Sequence, residues 1–159
     1  MYIRKNFSID FLEEFEDYID WNNIAIHEKI NYKMFKKFRS KWDWLLLLEN
    51  QEFDEKIIER SLEYVQKKYD RKYYKLVINK ISKYQKLSED FIRNYKYCLN
   101  WIIISEFQKL SEEFIEENID YVYSYNICKY QKISNNFIRK YHETINWDVI
   151  CYTQKLDNK

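Results

Sequence analysis

Five glutamines recur in one setting along this chain, Gln51, Gln85, Gln108, Gln131 and Gln154, four of them followed by a lysine (Lys86, Lys109, Lys132 and Lys155). An amide at regular spacing can read nucleobases, as in repeats that assign one base to each unit through fixed side chains. Such codes vary the reading residue between units, whereas here it is nearly invariant. A constant Gln suits a ladder of hydrogen bonds to neighbouring backbone groups better.

A second set is basic and aromatic: Tyr64, Lys67, Lys68, Tyr69, Arg71, Lys72, Tyr73, Tyr74 and Lys75. Cations interleaved with tyrosines serve phosphate neutralisation and base stacking. A solvated helix face with snorkelling lysines has the same composition. The net charge is −2 over 1–53, +5 over 54–87 and −2 over 88–159, giving +1 for the chain.

Catalytic signals are weak. His27 and His142 occupy unrelated settings, and neither belongs to an H-E-x-x-H or E-x-x-H spacing. Glu112/Glu116 and Glu113/Glu117 read as acids on a solvated helix face, not as a pair with one raised pKa in a pocket. The 159 residues include no glycine and no proline, which removes every phosphate-cradling loop, G-x-G-x-x-G turn and G-x-S-x-G elbow. The expectation is a non-enzyme with no cofactor and no metal.

The same absence removes the glycine hairpin turns and argues for an all-α protein. Lys, Ile, Asn, Tyr and Phe make 82 of the 159 residues, a usage that A/T-rich codons would give. Helices must then end without the usual glycine, and Asn is the expected substitute in the left-handed conformation. Three cysteines, Cys98, Cys128 and Cys151, are too few and odd in number for a disulfide framework and fit a reducing compartment. The longest aliphatic run, Leu45 to Leu48, is far short of the roughly 20 residues of a membrane span, and Met1 to Phe7 leads into no apolar h-region. The expected location is intracellular, neither secreted nor transmembrane.

The elements that must position these residues come from a repeat. Ile81, Ile104, Ile127 and Ile150 open the strings ISKYQKL, ISEFQKL, ICKYQKI and ICYTQKL, 23 residues apart. The same frame carries Ser88, Ser111 and Ser134, and the pairs Phe91-Ile92, Phe114-Ile115 and Phe137-Ile138. It also carries Trp101 and Trp147, with Ser124 in the place of a tryptophan between them. The N-terminal part repeats Phe11-Leu12, Met34-Phe35 and Ile57-Ile58, with Trp21 and Trp44. Joining the two parts requires 11 extra residues between about Ser61 and Lys75. Six repeats result: 8–30, 31–53, 54–87, 88–110, 111–133 and 134–156, the third irregular.

With the Phe as position 0, positions 0, 1, 4 and 8 share one face of a first helix, preceded by Ser caps and first-turn acids. Asp20, Asp43, Asn100 and Asn146 stand before the Trp position as caps of a second helix reaching to position 19. Each helix has about eight to ten residues and is unstable alone, so stacking must hold it. Small residues at position 14, Ala25, Ser82, Ser105, Cys128 and Cys151, admit a close neighbour and make two of the cysteines packing residues. The expected architecture is a right-handed α-solenoid in a single domain, 1–159, whose third repeat makes a bulge.

The string Trp101, Ile104-Ser105, Gln108-Lys109-Leu110-Ser111-Glu112 and Phe114-Ile115 resembles the short tandem repeats of proteins encoded by mimivirus-like giant viruses. The likeness covers 88–156 well and 8–53 more loosely, and departs from the pattern at Tyr121 to Asn126, where the Trp is lost, and over 54–87. It implies a viral origin, hence host cytoplasm or virion, and a repeat fold; it implies no activity.

Helical repeats leave an extended surface, so the expected function is a scaffold binding a protein partner. Tyr73, Tyr74, Tyr123 and Tyr125 are the candidate contacts, because they break the repeat and tyrosine is favoured at hot spots. The alternative is nucleic-acid binding through 64–75, with the prospect that Lys67, Lys68, Arg71, Lys72 and Lys75 form one stripe. A third possibility is a homo-oligomer through an end of the solenoid capped only by Tyr152 to Lys159.

Overall fold

Without glycine or proline, side chains must make every helix boundary. The structure is a computed structural model and describes residues 7–154; Met1 to Asn6, and the part of the Tyr152–Lys159 cap that includes Lys155, lie outside the described residues. Among the described residues the chain is all-helical, with twelve α-helices and no strand.

The chain packs as two compact bodies, residues 1–85 and 86–159. The first contains α1 (Ile9–Glu14), α2 (Trp21–His27), α3 (Tyr32–Lys37), α4 (Trp44–Asn50), α5 (Glu55–Lys68) and α6 (Arg71–Tyr84). The second contains α7 (Glu89–Asn94), α8 (Trp101–Phe107), α9 (Glu112–Glu117), α10 (Ser124–Tyr130), α11 (Asn135–Lys140) and α12 (Trp147–Thr153). Inside the first body α2 packs on α4 and α4 on α6; inside the second α8 packs on α10 and α10 on α12.

The N-termini follow the sequence. Ser8, Asn31, Asp54, Ser88, Ser111 and Ser134 each accept a hydrogen bond from the backbone N–H three residues on, at 2.9 to 3.1 Å. Such a cap contributes about 1 kcal/mol. Asp20, Asp43, Asn100 and Asn146 cap the second helices in the same way. In the second body, Glu89 and Glu112 reach forward to the next cap, accepting from the N–H groups of Ser111 and Ser134.

The lengths differ from expectation. Outside 54–87 the first helices have six residues and end at position 3, so position 8 is carried by the turn that follows. The second helices have seven residues and stop at position 16, three short of the expected end. The residue at position 17 has an extended backbone that ends the helix, whether it is Glu28 (φ −102, ψ 148) or a glutamine (Gln108 φ −93, ψ 146; Gln131 φ −95, ψ 151).

The third repeat departs from the others in the length of its two helices. Relative to its neighbours α5 is eight residues longer, α6 seven longer, and the connection shrinks from six residues to Tyr69-Asp70. The 11 added residues are thus divided between two helices, each about two turns longer than its counterparts, and each keeps one apolar face through the added turns. Ile57, Ile58, Leu62 and Val65 are buried on α5, and Val77, Ile78 and Ile81 on α6. Asp70 caps α6 by accepting from the Tyr73 N–H at 2.7 Å.

No described residue has a positive φ, so Asn does not end these helices in the left-handed conformation. The glutamine of the following repeat does the work. Gln51 Nε2 donates to the Ala25 and Glu28 carbonyls, both at 2.8 Å, and Gln51 Oε1 accepts from the Ile30 N–H. Gln85 Nε2 donates to the Leu48 and Gln51 carbonyls at 2.6 and 2.7 Å, and its Oε1 accepts from the Phe53 N–H at 3.0 Å. In the second body Gln131 binds the Ser105 and Gln108 carbonyls and the Leu110 N–H, and Gln154 binds the Cys128 and Gln131 carbonyls. Gln108 Oε1 accepts from the Leu87 N–H. The amides of Gln51, Gln85, Gln131 and Gln154 thus satisfy carbonyls that a helix C-terminus leaves open.

Position 14 carries one of those carbonyls, and Ala25, Leu48, Ser82, Ser105 and Cys128 are fully buried there. Cys151 is exposed, contrary to its expected packing role, because no described helix follows α12 to cover it.

Replacing Gln131 by Leu leaves two buried carbonyls and an N–H without partners. At about 1 to 3 kcal/mol for an unsatisfied group, relieved in part by water, the expected loss in urea unfolding is about 2 to 4 kcal/mol. Gln154→Leu, at a half-buried rung, loses less than half of that.

Candidate functional site

Two places combine exposed or accessible aromatic rings with a departure from the repeat, one in each body. In the first, α3 and α5 are the two first helices of consecutive repeats, and their charged edges face a common groove of about 700 Å³. Tyr32, Phe35, Trp44 and Tyr64 supply its rings; Lys36, Arg39, Arg60, Lys67 and Lys68 supply five cations against the single acid Glu63. Arg60 lies 4.8 Å over the Tyr32 ring and Arg39 5.0 Å over the Tyr64 ring. Lys68 sits over the same Tyr64 ring at 5.3 Å, and its hydrogen bond to Tyr64 holds its pKa above the ordinary lysine value.

None of these five cations forms an ion pair among the described residues, whereas Lys37, Lys41, Lys80, Arg93 and Lys140 pair with acids of an adjacent repeat. Trp44 is fully buried, and its Nε1–H has no acceptor. Trp21, Trp101 and Trp147 instead donate to the carbonyl five residues earlier, at 3.2, 2.8 and 2.9 Å.

The basic residues of 64–75 are divided between two helices, α5 and α6. The first part of the segment, Tyr64, Lys67 and Lys68, belongs to the groove, while Arg71, Lys72 and Lys75 are exposed on α6 and do not line it. Tyr69 stacks on Tyr73 at 4.5 Å, and Tyr73 and Tyr74 are half-buried, unlike free contact residues. Burial pushes the Tyr73 phenol up, with the nearby Asp43 carboxylate adding to it. Lys36, Arg39, Arg60 and Tyr32 were not singled out by sequence. The local run Lys33, Lys36, Lys37 and Arg39 was available as a signal, but the net −2 of residues 1–53 hid it.

The second place is in the other body, around Ser124. Tyr123 and Tyr125 on either side of it are 49% and 40% exposed, with rings 6.3 Å apart. Tyr123 takes the cap position of α10 but makes no side-chain cap; its N–H is held by Ser105 Oγ at 3.0 Å. Tyr97, Ile102, Tyr121 and Trp147 are also exposed in this body. Between Ser124 and the following repeat lies a mostly apolar cavity of about 320 Å³ bounded by Ile115, Ile127, Cys128, Phe137, Tyr141 and Ile145. Truncating a packed tryptophan costs about 3 to 5 kcal/mol, so a repeat without one leaves much apolar surface unfilled.

Three of the four carboxylates at 112, 113, 116 and 117 have structural partners. Glu112 binds Ser134, Glu116 pairs with Lys140 at 2.7 Å and Glu117 with Arg93 at 2.9 Å. His27 and His142 are exposed in separate bodies. Among the described residues no group of three His, Cys, Asp or Glu is placed to hold a metal, and no helix is long and apolar enough to cross a membrane. Comparisons with protein-family models, curated proteins and solved structures return no match to this chain.

Thiol titration reports these placements. Cys98 and Cys151, both exposed, react promptly with a thiol reagent in the native protein, and buried Cys128 reacts only slowly or after denaturation. Three equally fast thiols would contradict the packing around Ser124.

Proposed function

We propose that this chain is a non-enzymatic α-solenoid of six two-helix repeats, a single domain that binds a protein partner through its C-terminal repeats. The observation that carries the reading is the exposure of Tyr123 and Tyr125 where the repeat departs from its pattern. Large rings with few rotamers and a polar tip are favoured interface anchors. The ladder supports the same reading, since it fixes the backbone with inward amides and leaves outward positions free to differ. A viral origin, a host or viral protein as partner, and residence in host cytoplasm or virion belong to this proposal and rest on the repeat string alone.

The test is quantitative co-purification with the wild type and a Tyr123→Ala/Tyr125→Ala variant of unchanged helicity. A protein enriched by the wild type and reduced at least ten-fold by the variant is expected. Identical recoveries from the two would contradict it.

A second reading, nucleic-acid binding through 64–75, is favoured by one observation: Lys67 and Lys68 join Lys36, Arg39 and Arg60 in a groove lined by aromatic rings. Phosphates against five cations give an affinity that falls steeply with salt, with a slope of about −0.7 for each phosphate contacted by a single strand. Fluorescence anisotropy with a labelled oligonucleotide should show weaker binding and a slope reduced by about 1.4 for Arg39→Gln/Arg60→Gln. The equally charge-depleted Arg71→Gln/Lys72→Gln, outside the groove, should bind within about two-fold of wild type. Absence of binding at low salt would dispose of this reading.

A further inference from the structure

The repeats show what belongs in the cavity beside Ser124. With Phe11, Met34, Ile57, Phe91, Phe114 and Phe137 at position 0, the tryptophan at position 10 packs on the repeat that follows. Trp101 stacks on Phe114 and Tyr121, at positions 0 and 7 of the next repeat, with centroids 6.2 and 5.4 Å away. Trp21 packs on Phe38 and Trp42, at positions 4 and 8, at 4.7 and 5.2 Å. Trp44 meets Tyr64, again position 7, at 5.5 Å.

At Ser124 the same four positions of the following repeat are Phe137, Tyr141, Thr144 and Ile145, and all four bound the cavity. It is therefore the tryptophan slot of this repeat, left unfilled. The loss is double, because the position 7 tyrosine of the Trp44/Tyr64 and Trp101/Tyr121 pairs is Thr144 here. Ser124 Oγ donates to the Thr144 carbonyl at 2.8 Å, which occupies the hydroxyl without filling the volume. A polar counterpart is also present. The indole N–H of Trp21, Trp101 and Trp147 donates to the carbonyl five residues earlier. For position 124 that residue is Ile119, which bounds the cavity.

We propose that this slot receives an indole supplied by a tryptophan side chain of the protein partner, completing the repeat in trans. The inference rests on the protein-partner reading and specifies the anchor. A planar, neutral ring matches the lining, in which Asp120 is the one charged residue. The partner's side chain is favoured over a free molecule because Tyr123 and Tyr125, exposed on both sides of Ser124, provide the surrounding contacts of an interface anchor.

The probe is N-acetyltryptophanamide at millimolar concentration with the full chain, observed by saturation-transfer NMR. Expected is saturable transfer to the indole protons with the wild type, reduced at least ten-fold with Ser124→Trp, whose own ring takes the slot, and at least ten-fold weaker binding of N-acetylleucinamide. A second measurement needs no variant. Cys128 bounds the slot, so the probe should slow its alkylation by iodoacetamide several-fold while leaving Cys98 and Cys151 unaffected. Absence of saturable binding, equal binding to Ser124→Trp, or unchanged Cys128 alkylation overturns the proposal. A partner that depends on Tyr123 and Tyr125 but is retained by Ser124→Trp overturns it and leaves the protein-partner reading standing. Probe binding with no partner retained assigns the slot to a free aromatic molecule and overturns completion in trans.

Discussion

In every repeat after the first, a glutamine stands where a glycine would normally end a helix. A short helix leaves the carbonyls of its last turn without intrahelical partners, and a chain lacking glycine has no cheap left-handed residue with which to satisfy them. Here the Nε2 of the next repeat's glutamine binds two of those carbonyls, and its Oε1 accepts an N–H from the connection between repeats. Helix termination and repeat stacking are therefore the same interaction. Within each body a second helix cannot end properly unless its neighbour is docked, which couples the folding of successive repeats there.

That coupling decides which positions can vary. Positions 13, 14 and 17 face the stack; Ile104, Ser105 and Gln108 are all buried there. Position 10 bridges to the following repeat through an aromatic ring, and this bridge is the one that fails at Ser124. The backbone there keeps its course, because Gln131 and Gln154 continue the ladder on both sides, Asn126 donates to the Ile102 carbonyl at 2.9 Å, and Ser105 holds the Tyr123 N–H. Rigid surroundings preserve the cavity that the missing ring leaves. In the first body the same logic places α3 beside α5, so that cations distant in sequence share one groove.

The period of 23, the caps and the structural use of Gln were legible because each is a local pattern or an invariant position. Ser88, Ser111 and Ser134 announce helix starts, and Phe91 and Ile92 announce a buried face. Helix ends were not legible in the same way. The apolar positions 8 and 19 look like continued helix, yet Leu99 and Leu110 reach the core from turns, which sequence periodicity cannot distinguish from another helical turn. In the third repeat the place and size of the insertion were legible, but its division between two lengthened helices was not. An insertion of 11 residues breaks the 23-residue register, yet it lengthens both helices, and each carries its apolar face through the added turns. Charge was legible segment by segment and misleading in space, since Arg39 and Arg60 meet Lys68 only once α3 and α5 pack.

Native-state hydrogen exchange tests the ladder most directly. Ile30, Phe53, Leu87 and Leu110 lie outside the helices, and their N–H groups are bound only through glutamine Oε1. These four amides should exchange as slowly as those inside the second helices, while the neighbouring amides of exposed Lys109 and Lys132 exchange at the rate of open chain. Exchange of all six at open-chain rates would show that the glutamine amides do not hold the repeats together.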